Sequence, residues 1–187
     1  MEHFYHTIGE DWFTYPNLYK GVVEKFNNAI FVEVGSWKGR SASFLGVEIF
    51  NSKKNIKVFC VDTWLGSDEH KNADILKDDG LYNEFINNTK SLSSIITPLR
   101  MTSELASKEF ADESLDFCFL DASHEYNDVL NDLNSWYPKV KPGGIFAGHD
   151  YHEHGMWWPG VLEAVTHWNS KHNLAIKSSE SCFIIKK

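Results

Sequence analysis

The sequence predicts a single α/β domain. Its core is a mostly parallel, doubly wound, seven-stranded sheet with helices on both faces and an antiparallel edge strand. Short, nearly all-apolar runs, suited to strands buried on both faces, alternate with segments of helical apolar spacing. Polar or Gly/Pro turns separate them. The chain then closes on two short strand-like runs flanking Ser178-Ser179-Glu180-Ser181, which reads as a hairpin.

In chain order, Tyr15–Phe26 is a helix, because Leu18, Val22, Val23 and Phe26 share one face and Pro16 suits a first turn. Ala29–Val34 is the first buried strand. Gly39–Phe50 is a helix and Ile56–Val61 a second buried strand. Leu81–Ser91 is a helix and Ile95–Met101 a third strand, an assignment that Pro98 weakens. Leu115–Ala122 is a strong strand. His124–Trp136 is a helix with Tyr126, Val129, Leu130 and Leu133 on one face. Lys141-Pro142-Gly143-Gly144 reads as a turn and Ile145–Gly148 as the fifth strand. Pro159–Trp168 is a helix, and Leu174–Lys177 and Cys182–Lys186 are the closing strands.

Composition narrows the function classes. The 187 residues suit one domain, with positions 1–28 as an N-terminal helical or lid segment. With 42% hydrophobic and 14% aromatic residues, the chain can build a core without staples. A formal net charge of −8 and no Lys/Arg cluster argue against nucleic acid as a partner. Cys60, Cys118 and Cys182 each sit in an apolar run, as buried free thiols of a reducing compartment do. The N-terminus lacks the pattern of a signal peptide, and no apolar run approaches a membrane span. The expectation is a soluble, cytoplasmic protein with no membrane partner.

In an open α/β sheet, ligands bind beyond the carboxyl ends of the strands. The first strand ends there in Glu33-Val34-Gly35-Ser36-Trp37-Lys38-Gly39-Arg40-Ser41. Gly35 can turn tightly off the strand, and Gly39 lets backbone approach a ligand at the helix start. The second strand ends in Asp62, 23 residues past Gly39, a spacing that suits a carboxylate accepting from ribose hydroxyls. Such a loop fits either a dinucleotide or S-adenosylmethionine. A pyrophosphate needs bare backbone at the middle glycine position. Trp37 occupies that position and turns the choice toward a phosphate-free cofactor with an amino-acid tail.

This segment resembles the acidic-x-Gly-x-(Gly or aromatic)-x-Gly motif of class I S-adenosylmethionine-dependent methyltransferases, a Rossmann-like family. Its aromatic variant followed by Ser is similar to that of small-molecule O-methyltransferases. The resemblance covers roughly residues 29–170. It implies cofactor contacts from Glu33, Gly35, Ser36, Trp37, Gly39 and Ser41, a ribose contact from Asp62 with Thr63 and Trp64 beside it, and an adenine contact from Ser103. Trp64 reads either as lying against the adenine or as core.

The fourth strand delivers Asp121-Ala122-Ser123-His124-Glu125-Tyr126, and the fifth Gly148-His149-Asp150-Tyr151, to the same sheet edge as the glycine loop. With Pro159-Gly160-Val161 they resemble the macrocin O-methyltransferase and cephalosporin-hydroxylase branch. In that branch the acid ending strand four and an acidic pair ending strand five hold a divalent cation, usually magnesium. Asp121 and Asp150 match, Asp121 also lying within cofactor reach. His149 stands where relatives have Asp, which disfavours an all-oxygen magnesium site and leaves Asp121, His149 and Asp150 to magnesium, manganese, a softer metal or none.

Methyl transfer to a hydroxyl needs alignment and a base. Histidine has the pKa for it. His149, beside Asp150, is the favoured base, His124 the second candidate, and Asp121 completes the catalytic set. Asp121 also reads as a helix cap and His124 as structural. His149, His152 and His154 match no trusted zinc spacing. The charged stretch Leu65–Tyr82 and the aromatic loop Tyr151–Trp158 are expected to form the lid and substrate rim. The function expected is S-adenosylmethionine-dependent O-methylation of a small molecule or glycan, with a homodimer as another way to complete the pocket. A nucleotide-dependent oxidoreductase and a non-catalytic cofactor-binding module are the alternatives.

Overall fold

The computed structural model describes residues 1–66, 74–152 and 157–187. The apolar runs form β1 (Asn28–Val34), β2 (Asn55–Asp62), β3 (Ile96–Arg100), β4 (Leu115–Leu120), β5 (Val140–Gly148), β6 (Ile176–Ser179) and β7 (Cys182–Lys186). The helices are α1 (Pro16–Lys25), α2 (Arg40–Ser52), α3 (Gly80–Thr89), α4 (Ser103–Ser107), α5 (Tyr126–Trp136) and α6 (Pro159–His172). One sheet holds all these strands in the order β3-β2-β1-β4-β5-β7-β6. β1 to β5 pair in parallel, and β7 runs antiparallel between β5 and β6. The chain therefore has the expected mixed, doubly wound sheet.

Alternation along the strands splits the core by face. Phe31, Val58, Phe117 and Phe119 meet Tyr19 of α1, Leu45 of α2 and Phe85 of α3 on one side. Val32, Val34, Cys118 and Phe146 meet Ala106 of α4, Leu133 and Trp136 of α5, and Val165 and Trp168 of α6 on the other. The three cysteines are buried free thiols. Pro98 is tolerated because β3 is an edge strand.

Several boundaries differ from the sequence expectation. The tetrapeptide 141–144 is not a turn but part of β5. The β4–β5 register passes from Leu115↔Val140 to Phe117↔Ile145, an irregularity that absorbs the extra residues. Gly143 takes φ +82° there. Its N–H donates to the Lys187 carbonyl at 2.6 Å, and Lys141 Nζ lies 2.8 Å from Asp116 Oδ2. Partners remote in sequence thus hold a turn-like tetrapeptide extended. The fourth strand stops at Leu120 and α5 starts only at Tyr126, so residues 121–125 are a loop. The short helix α4, capped by Thr102 Oγ1 accepting from Leu105 N, is an element the sequence pattern does not predict. In the closing hairpin, Glu180 and Ser181 both have positive φ, as a type I′ turn requires.

Among the described residues no helix is long and apolar enough to cross a membrane. The expected lid and rim fall partly on residues 67–73 and 153–156, including His154, outside the described residues.

Candidate functional site

Gly35 leaves β1 with φ +88°. A Cβ on it would lie 1.9 Å from the carbonyl oxygen of Asp121, so only glycine fits between the tips of β1 and β4. Gly39, at φ +83°, caps α2, and a Cβ there would meet Phe85 and Thr89 at 3.0 Å.

Asp62, at the tip of β2, holds this loop. Its Oδ2 accepts from the backbone N–H groups of Ser36 and Trp37, each at 3.0 Å, and its Oδ1 from that of Trp64 at 2.7 Å. A carboxylate has about four lone-pair sites, so one remains for a ligand hydroxyl. Thr63 is engaged locally, its Oγ1 accepting from the N–H of Leu65 two residues on at 3.3 Å.

Glu33 lies beneath the loop, 1% exposed. It accepts from the Tyr19 hydroxyl and from Ser36 Oγ, each at 2.7 Å. Burial raises its pKa, while hydrogen bonds from Tyr19, Ser41 and Ser36 oppose the rise. Glu33 and Ser41 thus support the loop from inside. Trp64 resolves to its core reading. It is 1% exposed, packs on Tyr82 and Phe85 with ring centroids 5.0 and 4.7 Å away, and donates from Nε1 to the Trp37 carbonyl. Trp37 itself is half-buried, its ring 6.3 Å from that of Trp12. Ser103 opens α4, donates to Asp132 and accepts from Trp136 Nε1 at 2.8 Å.

The tips of β4 and β5 bring together Asp121, His124, His149 and Asp150 around a small cavity that Asp132 and Phe183 also line. His124 Nε2 lies 2.9 Å from Asp150 Oδ2, and its ring stacks on Trp158 at 3.9 Å and 13°. His149 is fixed differently. Its Nε2 lies 2.9 Å from Thr14 Oγ1, while Nδ1 faces Asp121 Oδ1 at 3.5 Å and Asp150 Oδ2 at 3.4 Å. The Tyr15 hydroxyl donates to Asp121 Oδ2 at 2.7 Å. His152 Nε2 stands 3.7 Å from Asp150 Oδ1.

Electrostatics bear on His149 and Asp150. Burial lowers the pKa of His149, but the flanking carboxylates of Asp121 and Asp150 outweigh it and raise it to about 10. The two carboxylates thus favour the protonated ring of His149. Burial opposes ionisation of Asp150, yet the hydrogen bonds from His124 and His149 hold its carboxyl well below the ordinary range. Both histidines expected from sequence therefore reach Asp150, His149 through Nδ1 at 3.4 Å and His124 through Nε2 at 2.9 Å. Sequence reasoning misses Asp132, a polar residue on a helix face that reads as solvent-exposed; burial raises its carboxyl to about 6.

The group able to hold a cation differs by one residue from the sequence expectation. Among the described residues, the group with potential donor atoms all within 4.8 Å of one another is Asp121, His124 and Asp150, with His124 in the place expected for His149. Two carboxylate oxygens and an imidazole nitrogen depart from the all-oxygen set magnesium prefers and suit manganese or a later divalent ion better.

Thr14, Tyr15 and Tyr19 carry no motif in the sequence. The available signal is weak: tyrosines at 15 and 19 are one helical turn apart, around a Pro at 16 that starts a helix.

A family model described as a methyltransferase domain matches residues 32–151. The chain is 29% identical over 127 residues to uncharacterized protein y4gI of Sinorhizobium fredii, a match covering 67% of this chain and only 14% of that protein. Among solved structures, it is similar to the O-methyltransferase NovP at TM-score 0.65 and 17% identity, covering 92% of this chain and 78% of that one. It is similar to CalS11, a TDP-rhamnose 3′-O-methyltransferase of calicheamicin biosynthesis, at TM-score 0.68 and 11% identity, covering 91% and 77%. The methyltransferase MycE of the mycinamycin pathway, in complex with Mg and SAH, gives TM-score 0.58 and 13% identity over 91% of this chain and 48% of that one. At these identities the solved structures establish the fold.

Proposed function

The chain belongs to the methyltransferase-domain family, with the fold of class I S-adenosylmethionine-dependent enzymes, and from that premise we propose that it methylates a hydroxyl of a small molecule or glycan, with His124 as general base. The observation that carries the reading is the His124–Asp150 contact at 2.9 Å, set beside the glycine loop by the adjacent tips of β1, β4 and β5. That CalS11 and NovP are O-methyltransferases supports the acceptor class.

Bound S-adenosylmethionine supplies an electrophilic methyl group on a sulfonium centre. The loop from Gly35 to Gly39 at the start of α2 would hold the cofactor's amino-acid end, and Asp62 would offer its remaining lone pair to the ribose. His124 accepts the acceptor's proton through a ring nitrogen. Asp150 orients that ring and stabilises the imidazolium that forms, and Trp158 restricts its rotation by stacking. The task left to the protein is alignment, about 3–3.5 Å between oxygen and methyl carbon. His149, between Asp121 and Asp150, would carry a positive charge there, since the two carboxylates raise its pKa. Were a divalent cation to bind, Asp121, His124 and Asp150 would hold it, and by lowering the pKa of the acceptor hydroxyl it would replace His124 in the task of a base.

Calorimetry with S-adenosylhomocysteine tests the cofactor. Binding at micromolar concentration is expected, and no heat at high micromolar cofactor would overturn the reading. Transfer of a labelled methyl group to a panel of glycosides and phenols then tests the acceptor.

A further inference from the structure

The N-terminal residues 8–15 lie as a strap across the strand tips. Their first half is anchored on the glycine loop. Arg40 Nη1 donates to the Ile8 carbonyl at 3.1 Å, Lys38 Nζ pairs with Glu10 Oε1 at 2.9 Å, and Arg40 Nη2 pairs with Asp11. Phe13 then buries its ring against Tyr5, Tyr19 and Phe44, fixing the level at which the next residues emerge.

The next two residues meet the chemistry. Thr14 Oγ1 contacts His149 Nε2 at 2.9 Å, His149 Nδ1 faces Asp121 Oδ1 at 3.5 Å, and Asp121 Oδ2 accepts from the Tyr15 hydroxyl at 2.7 Å. Consecutive side chains thus bracket the His149–Asp121 pair from both ends, and the circuit closes through one peptide bond. Tyr15 is 1% exposed and locked by Phe119 and Tyr19, with ring centroids 4.6 and 5.1 Å away, so its hydroxyl has one place to point.

We propose that Thr14 and Tyr15 are positioning residues of the methyl-transfer site, through which the strap couples the cofactor loop to Asp121 and His149. The proposal rests on the cofactor reading above. Asp121 is the group that transmits the effect, because its carbonyl packs directly on Gly35 while its carboxylate is aimed by Tyr15. With Oδ2 committed to Tyr15, Oδ1 must face His149. With Thr14 on Nε2, the His149 ring cannot turn away from both carboxylates. Without these contacts the Asp121 side chain would rotate at the wall of the cofactor crevice.

The test is calorimetry with S-adenosylhomocysteine on wild type, Tyr15→Phe, Asp121→Asn and the double variant. Tyr15→Phe keeps the ring packing and removes one hydrogen bond to a charged group, so affinity should fall about tenfold. In the Asp121→Asn background the same change should cost less than about threefold, since its effect runs through that carboxylate. Thr14→Val should also weaken binding and Thr14→Ser restore it, a pair that decides the matter even if Tyr15→Phe fails to fold. Affinity within about twofold of wild type for Tyr15→Phe and Thr14→Val, or a Tyr15→Phe effect undiminished in the Asp121→Asn background, overturns the proposal. Wild-type protein that takes up no S-adenosylhomocysteine overturns instead the cofactor reading beneath it.

Discussion

Oδ2 of Asp62 lies 3.0 Å from the backbone nitrogen of Trp37, so the acid ending β2 fastens the loop that ends β1. Trp37 has φ 44°, a conformation a bulky residue holds only under restraint. Asp62→Ala leaves the N–H groups of Ser36, Trp37 and Trp64 without that acceptor. Expected are a loss of about 2–4 kcal/mol in urea unfolding and loss of S-adenosylhomocysteine binding by calorimetry. Asp62→Asn, which keeps one acceptor oxygen, should fall between.

Gly35 and Gly143 share a left-handed φ, +88° and +82°, but not an environment. A Cβ on Gly35 meets Asp121 backbone at 1.9 Å, whereas one on Gly143 meets nothing within 4 Å. Gly143→Ala should therefore cost only the left-handed strain, about 1–2 kcal/mol. Gly35→Ala should cost well beyond that and abolish cofactor binding. Equal melting temperatures for the two variants would contradict this account.

His124→Gln should lower turnover on a found acceptor by about 10²–10⁴-fold, the span of a general base, with S-adenosylhomocysteine affinity little changed. His149 is expected to act otherwise. Its pKa is raised in the fold to about 10, so its stabilising contribution is complete below the unfolded histidine value and is lost as pH rises through about 10. His149→Gln should lower the melting temperature at neutral pH and flatten its fall on the way to about pH 10.

Asp132 behaves in the opposite direction to an ordinary salt-bridged acid. Its folded pKa is raised to about 6 from 3.8, so its contribution is fully present below the unfolded value and is lost as pH rises through about 6. Asp132→Asn keeps an acceptor for the Ser103 hydroxyl and removes the buried charge. The variant should be more stable than wild type at about pH 7.5 by about 1–3 kcal/mol, and the gap should close by about pH 4. A gap that does not change with pH would place the charge in solvent.

The sequence by itself determined the sheet and the loop. Residues 117–120 form a continuous apolar run and the helical faces of α1 and α5 are periodic, and such patterns report burial wherever an element packs on its neighbours. Gly35 and Gly39 were legible for the same local reason, since left-handed φ values of +88° and +83° are properties of single residues. The site was legible only as a set of strand tips. Which histidine meets which carboxylate was decided by the tertiary structure. His124 and His149 follow different strands, and their orientations are set by Trp158 and by Thr14, 135 residues before His149. Residues 141–144 became strand for a similar reason: their partners, Asp116 and Lys187, come from elsewhere in the chain. Hydrogen bonds and charges act over a few ångströms in space. A pattern along the chain records which residues are buried, and folding alone brings their partners within that range.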